Sequence, residues 1–335
     1  MDEAPGGIGP DREPPRLRPL QARVGESPGG AEPHRGRLSP PVRLLVFGGW
    51  GQLGADLVLA CEGRHQLVRP HRSEVDVTDA VAVQRVVREQ RPDAVLNAAA
   101  FHKVEACEAE PGAAFAVNAV GAHNVARAAA AEGSVCVFVS TDYVFDGMND
   151  DGYVESHPPR PINVYGVTKA AGERLVEVAS PRAVVVRTSG LFGHAGSSGK
   201  GGNFIETMLG MASRDEPISV VDDRRFSPTS ASDLAERLLQ LLESGRAAGI
   251  YHLANAGSCS WFELARTTFE LAGVQARLTP RASRPDEVPR PTSSVLRDTR
   301  SEGAGLPPAR PWREALERYL RERNRLDDRM KVPLE

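Results

Sequence analysis

The stretch VRLLVFGGWGQLG, residues 42–54, constrains the fold of this chain more than any other. Its first six residues are mostly apolar and do not alternate, which is the pattern of a strand buried on both faces. Glycines follow at G-x-x-G-x-x-G spacing (Gly48, Gly51, Gly54), and a helical stretch, Gly51–Cys61, begins at once. A strand buried on both faces needs helices above and below it, and the chain supplies them in alternation. QLVRP precedes a helix over Asp79–Gln90, and DAVLNAAA precedes an Ala-rich helix over Pro111–Ala131. VCVFVS is followed by a helix over Val167–Ala179 and then by AVVVRTS. This order predicts an α/β chain with a Rossmann-type, doubly wound parallel sheet.

Beyond Gly190 the alternation loosens into Gly-rich loops and scattered helices over Phe204–Arg214, Ala231–Glu243, Trp261–Ala272 and Trp312–Arg321. We read residues 41–190 as a dinucleotide-binding domain and 191–325 as a smaller C-terminal substrate-binding lobe, some of whose elements return to the core. Residues 326–335 read as a tail. Residues 1–40 are dense in Pro, Gly, Arg and Glu without a period, and such a segment cannot bury enough apolar surface to offset its ordering entropy, so it reads as a disordered extension. The net charge of −3 leaves no basic footprint for nucleic acid or an anionic membrane. No apolar run approaches the roughly 20 residues that span a bilayer. Four scattered cysteines without a Cys-x-x-Cys pair fit reduced thiols in a cytosolic protein.

The glycine turn after the first strand allows a pyrophosphate to approach the backbone and sit on the helix N-terminus. That assigns Gly48, Gly51, Gln52, Leu53 and Gly54 to a dinucleotide. At the end of the second strand, RPHRSEVDVTD offers Arg69 and Arg72 and no acid at once. An arginine there accommodates a 2′-phosphate, so NADPH is preferred over NADH, with Asp76 and Val77 under the adenine. Trp50 in the turn receives no role.

In NVYGVTKAAGE, Tyr165 and Lys169 are four apart, which places both on one face of a helix. A lysine cation beside a phenol favours the phenolate and brings its pKa down from about 10, making proton exchange with a carbonyl practical. The pairing is informative because the chain holds only 5 tyrosines, and 4 lysines against 37 arginines. Upstream, VSTDYVFDG ends the fourth strand with Ser140 and Thr141, whose hydroxyls either reach the same substrate oxygen or cap the strand end.

These motifs resemble the extended short-chain dehydrogenase/reductases, and most closely the dTDP-4-dehydrorhamnose reductase family. The resemblance runs from about Val42 to Leu320 through GQLG, NAAA, STDYVFDG, NVYGVTKAAGE, RTSGLFG, GGNFIETML and RPTSSVL in the family's order. It implies NAD(P)H-dependent reduction of the 4-keto group of a nucleoside-diphosphate 6-deoxysugar. By the same resemblance Tyr165 is the proton donor, Lys169 binds the nicotinamide ribose, and Thr141 hydrogen-bonds the sugar carbonyl with Asp142 nearby. Val104, Asn203 and Arg290 are implied on the substrate side, and Arg224 and Arg225 lie within reach of a diphosphate. The assembly state is left open, a homodimer being the form considered.

Two departures fall on the sugar side. The family commonly has a tryptophan after RTS where this chain has Gly190, and its usual QxGxPT reads RRFSPT here. The expectation is that the space opened at Gly190 admits a larger or differently substituted deoxysugar. Two other readings use the same fold: a non-catalytic subunit resembling the β subunit of methionine adenosyltransferase, and a nucleotide-sugar epimerase or dehydratase. The segment FHKVEACE, residues 101–108, carries metal-binding residue types, but they follow one another along a loop without settled ligand spacing. It reads instead as a substrate-side loop, with Ala99, Ala100 and Phe101 along the coenzyme, His102 beside them as a substrate-binding residue that bears on specificity, Val104 toward the sugar, and Glu105 and Glu108 capping the next turn.

Overall fold

A computed structural model describes residues 41–195, 202–245 and 247–330. The expected extension, 1–40, lies outside the described residues. Strands β1 (Arg43–Phe47), β2 (Gln66–Val68), β3 (Ala94–Asn97), β4 (Val135–Thr141) and β5 (Val184–Thr188) are joined by β10 (Gly249–His252) in one sheet of order β10-β5-β4-β3-β1-β2. Every pairing in it is parallel. Alternate strand residues feed two cores. Leu44, Val46, Leu96, Val137 and Val186 pack on α1 (Gln52–Cys61) and α8 (Ala231–Ser244). Leu45, Phe47, Val95, Phe138 and Val185 face α2 (Ala80–Gln90), α5 (Ala122–Ala131) and α6 (Val164–Ala179). This is the doubly wound arrangement expected, and α8 and β10 are the elements that return from the lobe.

The strand order reverses between β1 and β3, so the glycine turn after β1 and the loop after β3 lie side by side at the carboxyl edge, where open α/β sheets bind ligands. Short elements cover that edge. These are the helices α3 (Val104–Ala109) and α4 (Pro111–Phe115), and the ladders β6 (Leu191–Phe192) with β9 (Thr229–Ser230), β7 (Ile218–Val221) with β12 (Leu278–Arg281), and β8 (Arg225–Phe226) with β11 (Cys259–Ser260). Helices α7 (Phe204–Ser213), α9 (Trp261–Ala272) and α10 (Trp312–Met330) complete the lobe. Helix α10 runs into the stretch read as a tail.

Two local departures from the expected elements matter for the site. The helix expected over Pro111–Ala131 is interrupted by a π-helical turn, Ala116–Gly121, between α4 and α5. That wide turn brings Asn118 fully inside, where its amide accepts from Phe101 N (2.8 Å) and donates to Phe101 O (2.9 Å) and Thr168 Oγ1 (3.0 Å). The loop after β3 is thereby tied to α6. Helix α6 itself starts at Val164, three residues early, because Asn163 caps it by accepting from Gly166 N at 2.8 Å. Tyr165 therefore stands in its first turn.

Candidate active site

The carboxyl edge of the sheet opens into a cleft of about 1500 Å³. Of the residues assigned to a ligand from the sequence, all border it except Arg69 and Gly54, the latter packing α1 against the backbone of Gly49 instead. Gly48 has φ +75°, and a Cβ there would lie 2.5 Å from Ala99 N, so only glycine permits the turn after β1 to meet the loop after β3. Helix α1 has Gly51 at its N-cap and no side-chain cap, leaving its first N–H groups to an anion. The cradle fits a dinucleotide pyrophosphate.

Beside the end of β2, Trp50 has a structural task that its sequence context does not reveal. Its Nε1 donates to Arg69 O (3.2 Å), the Arg69 guanidinium lies 4.0 Å over the indole, and Arg69 Nη1 donates to Gly49 O (3.1 Å). Arg69 is thus clamped to the glycine turn. Arg72 borders the cleft and pairs with Asp76 at 3.3 Å.

Tyr165, Lys169 and Thr141 converge beyond the end of β4. The Tyr165 phenol hydrogen-bonds Thr141, and burial pushes it above its ordinary pKa. Lys169 is almost wholly buried, with Nζ donating to Val139 O at 2.6 Å and lying 3.9 Å from the Phe138 ring centroid. Burial holds its amine down at about 7, against the opposing charge of Glu173. The phenol's net shift is therefore upward, not the downward one expected from a neighbouring lysine, because desolvation by burial outweighs the opposing contributions.

Thr141 Oγ1 donates to Asp142 Oδ1 (3.0 Å), while Asp142 Oδ2 accepts from Ser189 (2.7 Å) and Ser294 (2.5 Å). Full burial raises Asp142, and the three hydroxyls oppose that rise. Asp142, expected beside the sugar, spends its oxygens on orienting Thr141 and tying β5 and the RPTSSVL loop to the end of β4. Ser140 turns the other way, donating to Glu173 at 2.5 Å. Glu173 also receives two bonds from Arg187 (2.9 and 2.7 Å), and Arg187 is fully buried. The capping role left open for Ser140 thus becomes membership of a buried ion-pair network, which the sequence reading missed.

The substrate side differs in detail from expectation. Asn203 is the N-cap of α7, accepting from Glu206 N (3.0 Å) and donating to Gly193 O (2.8 Å) and Tyr319 Oη (3.0 Å), so its amide is largely committed inside the lobe. Arg290 pairs with Glu105 and hydrogen-bonds Tyr143, which meets Tyr165 edge-on at 6.0 Å. Arg224 faces the cleft with Glu287 as partner (3.1 Å), whereas Arg225 turns to Glu263 (3.1 Å). Glu105 and Glu108 do not cap the next turn. Glu105 reaches Arg290, and Glu108 accepts from Val164 N (2.8 Å), thereby capping α6. Cys107 is buried and donates to Phe101 O (3.2 Å), so the FHKVEACE side chains point to separate partners. The space expected at Gly190 is not open, because Phe226 fills it.

A parallel sheet of this order, with a glycine cradle at its switch point and a Thr–Tyr–Lys set at the end of β4, defines an extended short-chain dehydrogenase/reductase. The family model described as the RmlD substrate-binding domain matches residues 42–325. The chain belongs to the dTDP-4-dehydrorhamnose reductase family. It is 41% identical over 309 residues to the dTDP-4-dehydrorhamnose reductase of Mycolicibacterium smegmatis, covering 88% of this chain and 92% of that protein. It is 38% identical over 281 residues to the dTDP-4-keto-6-deoxy-D-glucose reductase of Streptomyces niveus, covering 82% and 95%. The crystal structure of dTDP-4-dehydrorhamnose reductase from Bacillus anthracis in complex with NADP matches with a TM-score of 0.80 at 36% identity, over 84% of this chain and 99% of that one. Among the described residues no helix is long and apolar enough to cross a membrane.

Proposed function

We propose that this chain is an NADPH-dependent reductase of the 4-keto group of a dTDP-linked 6-deoxyhexose. The convergence of Thr141, Tyr165 and Lys169 in one cleft with the glycine cradle carries the reading. NADPH, when bound, supplies the hydride. Tyr165 Oη gives its proton to the carbonyl oxygen as negative charge grows there. Thr141 holds the phenol in line, and Asp142 holds Thr141. The Lys169 cation offsets the charge left on Tyr165 Oη, and the buried strand end excludes water, which strengthens that attraction. Arg224 and Arg290, each resting on a carboxylate, are suited to receive the substrate diphosphate.

The intact proton-donating set favours a catalyst over a regulatory subunit. Net consumption of NADPH separates a reductase from an epimerase or dehydratase, which regenerate their coenzyme. The test is NADPH oxidation against a panel of dTDP-4-keto-6-deoxyhexoses; no turnover on the whole panel refutes the reading. The wild-type pH profile provides a second check. Lys169 is cationic below about 7 and neutral above it, so kcat/KM is expected to fall as pH rises through that value. Since kcat/KM reports groups of the free enzyme, a profile flat to pH 9 would remove Lys169 from the role assigned to it.

A further inference from the structure

Gly190 and Phe226 share one volume. Gly190 follows Ser189, whose hydroxyl donates to Asp142 at 2.7 Å, so it stands beside the reactive end of β4. Its φ is +51°, and a Cβ built there would fall well inside 3.0 Å of the Phe226 ring, closer than real Cβ atoms come. The ring therefore occupies the space into which a side chain at position 190 would point. Phe226 also stacks on Trp261, with centroids 4.1 Å apart and planes 20° apart, and Trp261 meets Phe204 edge-on at 4.8 Å. Phe226 itself is only 3% exposed, while Trp261 and Phe204 are partly exposed; all three border the cleft with Gly190. The strand end thus contributes bare backbone, and the lobe contributes an aromatic stack that is locked in place behind it.

We propose that the Gly190–Phe226–Trp261 stack is the wall on which the hexose of the substrate packs, and that Phe226, by fixing its position, determines which hexose is accepted. The proposal rests on the reductase reading above. A 6-deoxyhexose presents C–H groups and a C6 methyl, which gain from burial against aromatic carbon, whereas a C6 hydroxyl laid on the same surface loses its water without a matched partner. Because Phe226 refills the space at position 190, the wall is not recessed. The selectivity expected is for a methyl-bearing sugar of ordinary size, not a larger one.

Calorimetric titration with dTDP, dTDP-glucose and a dTDP-6-deoxyhexose, in the presence of NADP+ and beside turnover measurements, tests this. Phe226→Ala should weaken binding of the dTDP-6-deoxyhexose and raise KM for the keto sugar by about tenfold or more. It should leave the Kd for dTDP within about twofold and narrow the preference over dTDP-glucose. Phe226→Leu, which keeps more of the lobe core, should show the same pattern in smaller measure. Gly190→Ala should harm sugar binding in the wild-type background and harm it less beside Phe226→Ala, since the two side chains compete for one volume. Unchanged sugar binding in folded Phe226 variants would overturn the proposal. So would an equal loss for dTDP, which would put the stack under the base. If the wild type turns over no keto sugar, the reductase reading fails, while the titrations still decide the wall.

Discussion

Replacing Tyr165 by phenylalanine is expected to lower kcat by roughly 10²–10⁴-fold, the usual worth of a positioned general acid. The variant deletes one oxygen from a phenol buried beside Thr141 and leaves the ring against Tyr143. The glycine cradle is untouched, so NADPH affinity measured by fluorescence titration should stay within a few-fold. KM for the sugar nucleotide should change little, because the proton transfer is made only in the transition state. Full activity in Tyr165→Phe would mean that the proton comes from elsewhere and would end the mechanism proposed above. A loss of NADPH binding in parallel with the loss of rate would instead give Tyr165 a role in holding the coenzyme.

The second large effect is expected on stability, at Arg187. This side chain is fully buried on β5 and donates two bonds to Glu173 on α6, with His252 Nε2 3.4 Å from its Nη1 and the Phe145 ring centroid 5.0 Å from its Cζ. Burial also holds His252 down to about 4, so it adds no positive charge near neutral pH. Removing one partner of a buried pair strands the other charge without water, at a cost of about 3–5 kcal/mol. Arg187→Met should therefore lower Tm by on the order of 10 °C, read by calorimetry or by circular dichroism. Glu173→Gln should be similarly damaging, and the double variant should lose less than the sum, because the second change removes the charge that the first one strands. Strict additivity would show that the pair is not a coupled unit. Since Glu173 also receives Ser140 and lies one helical turn from Lys169, these variants are expected to lower activity as well, by loosening the β4 end rather than by touching substrate.

The part of the fold legible in the chain alone is the part that local geometry dictates. A buried strand, a glycine turn and a helix in succession leave few folds open, and the β1–α1 unit forms as read. Tyr165 and Lys169 lie on one face of α6 because a helix turns once in about 3.6 residues, wherever that helix is packed. The motif order was equally legible, since residues at strand ends face the same edge of a parallel sheet. Helix starts were less so: α6 begins early because Asn163 caps it, and Glu108, far back in the chain, also accepts from its first N–H. That contact follows from how α3 and α6 pack, and no pattern inside NVYGVTKAAGE announces it.

The remainder was decided by contacts between distant residues. Gly190 looked like an opened space, yet Phe226 from a lobe strand fills it; the two departures from the family pattern compensate each other only once the chain is folded. The carboxylates of FHKVEACE looked like local caps, but they belong to Arg290 and to α6. Asp142 looked like a sugar contact, yet Ser189 and Ser294 converge on it from two other segments. The Tyr165 pKa, too, is not set by spacing alone. The i, i+4 relation fixes which face a side chain takes, but desolvation by the surrounding core sets its charge, and only the tertiary structure brings that core together.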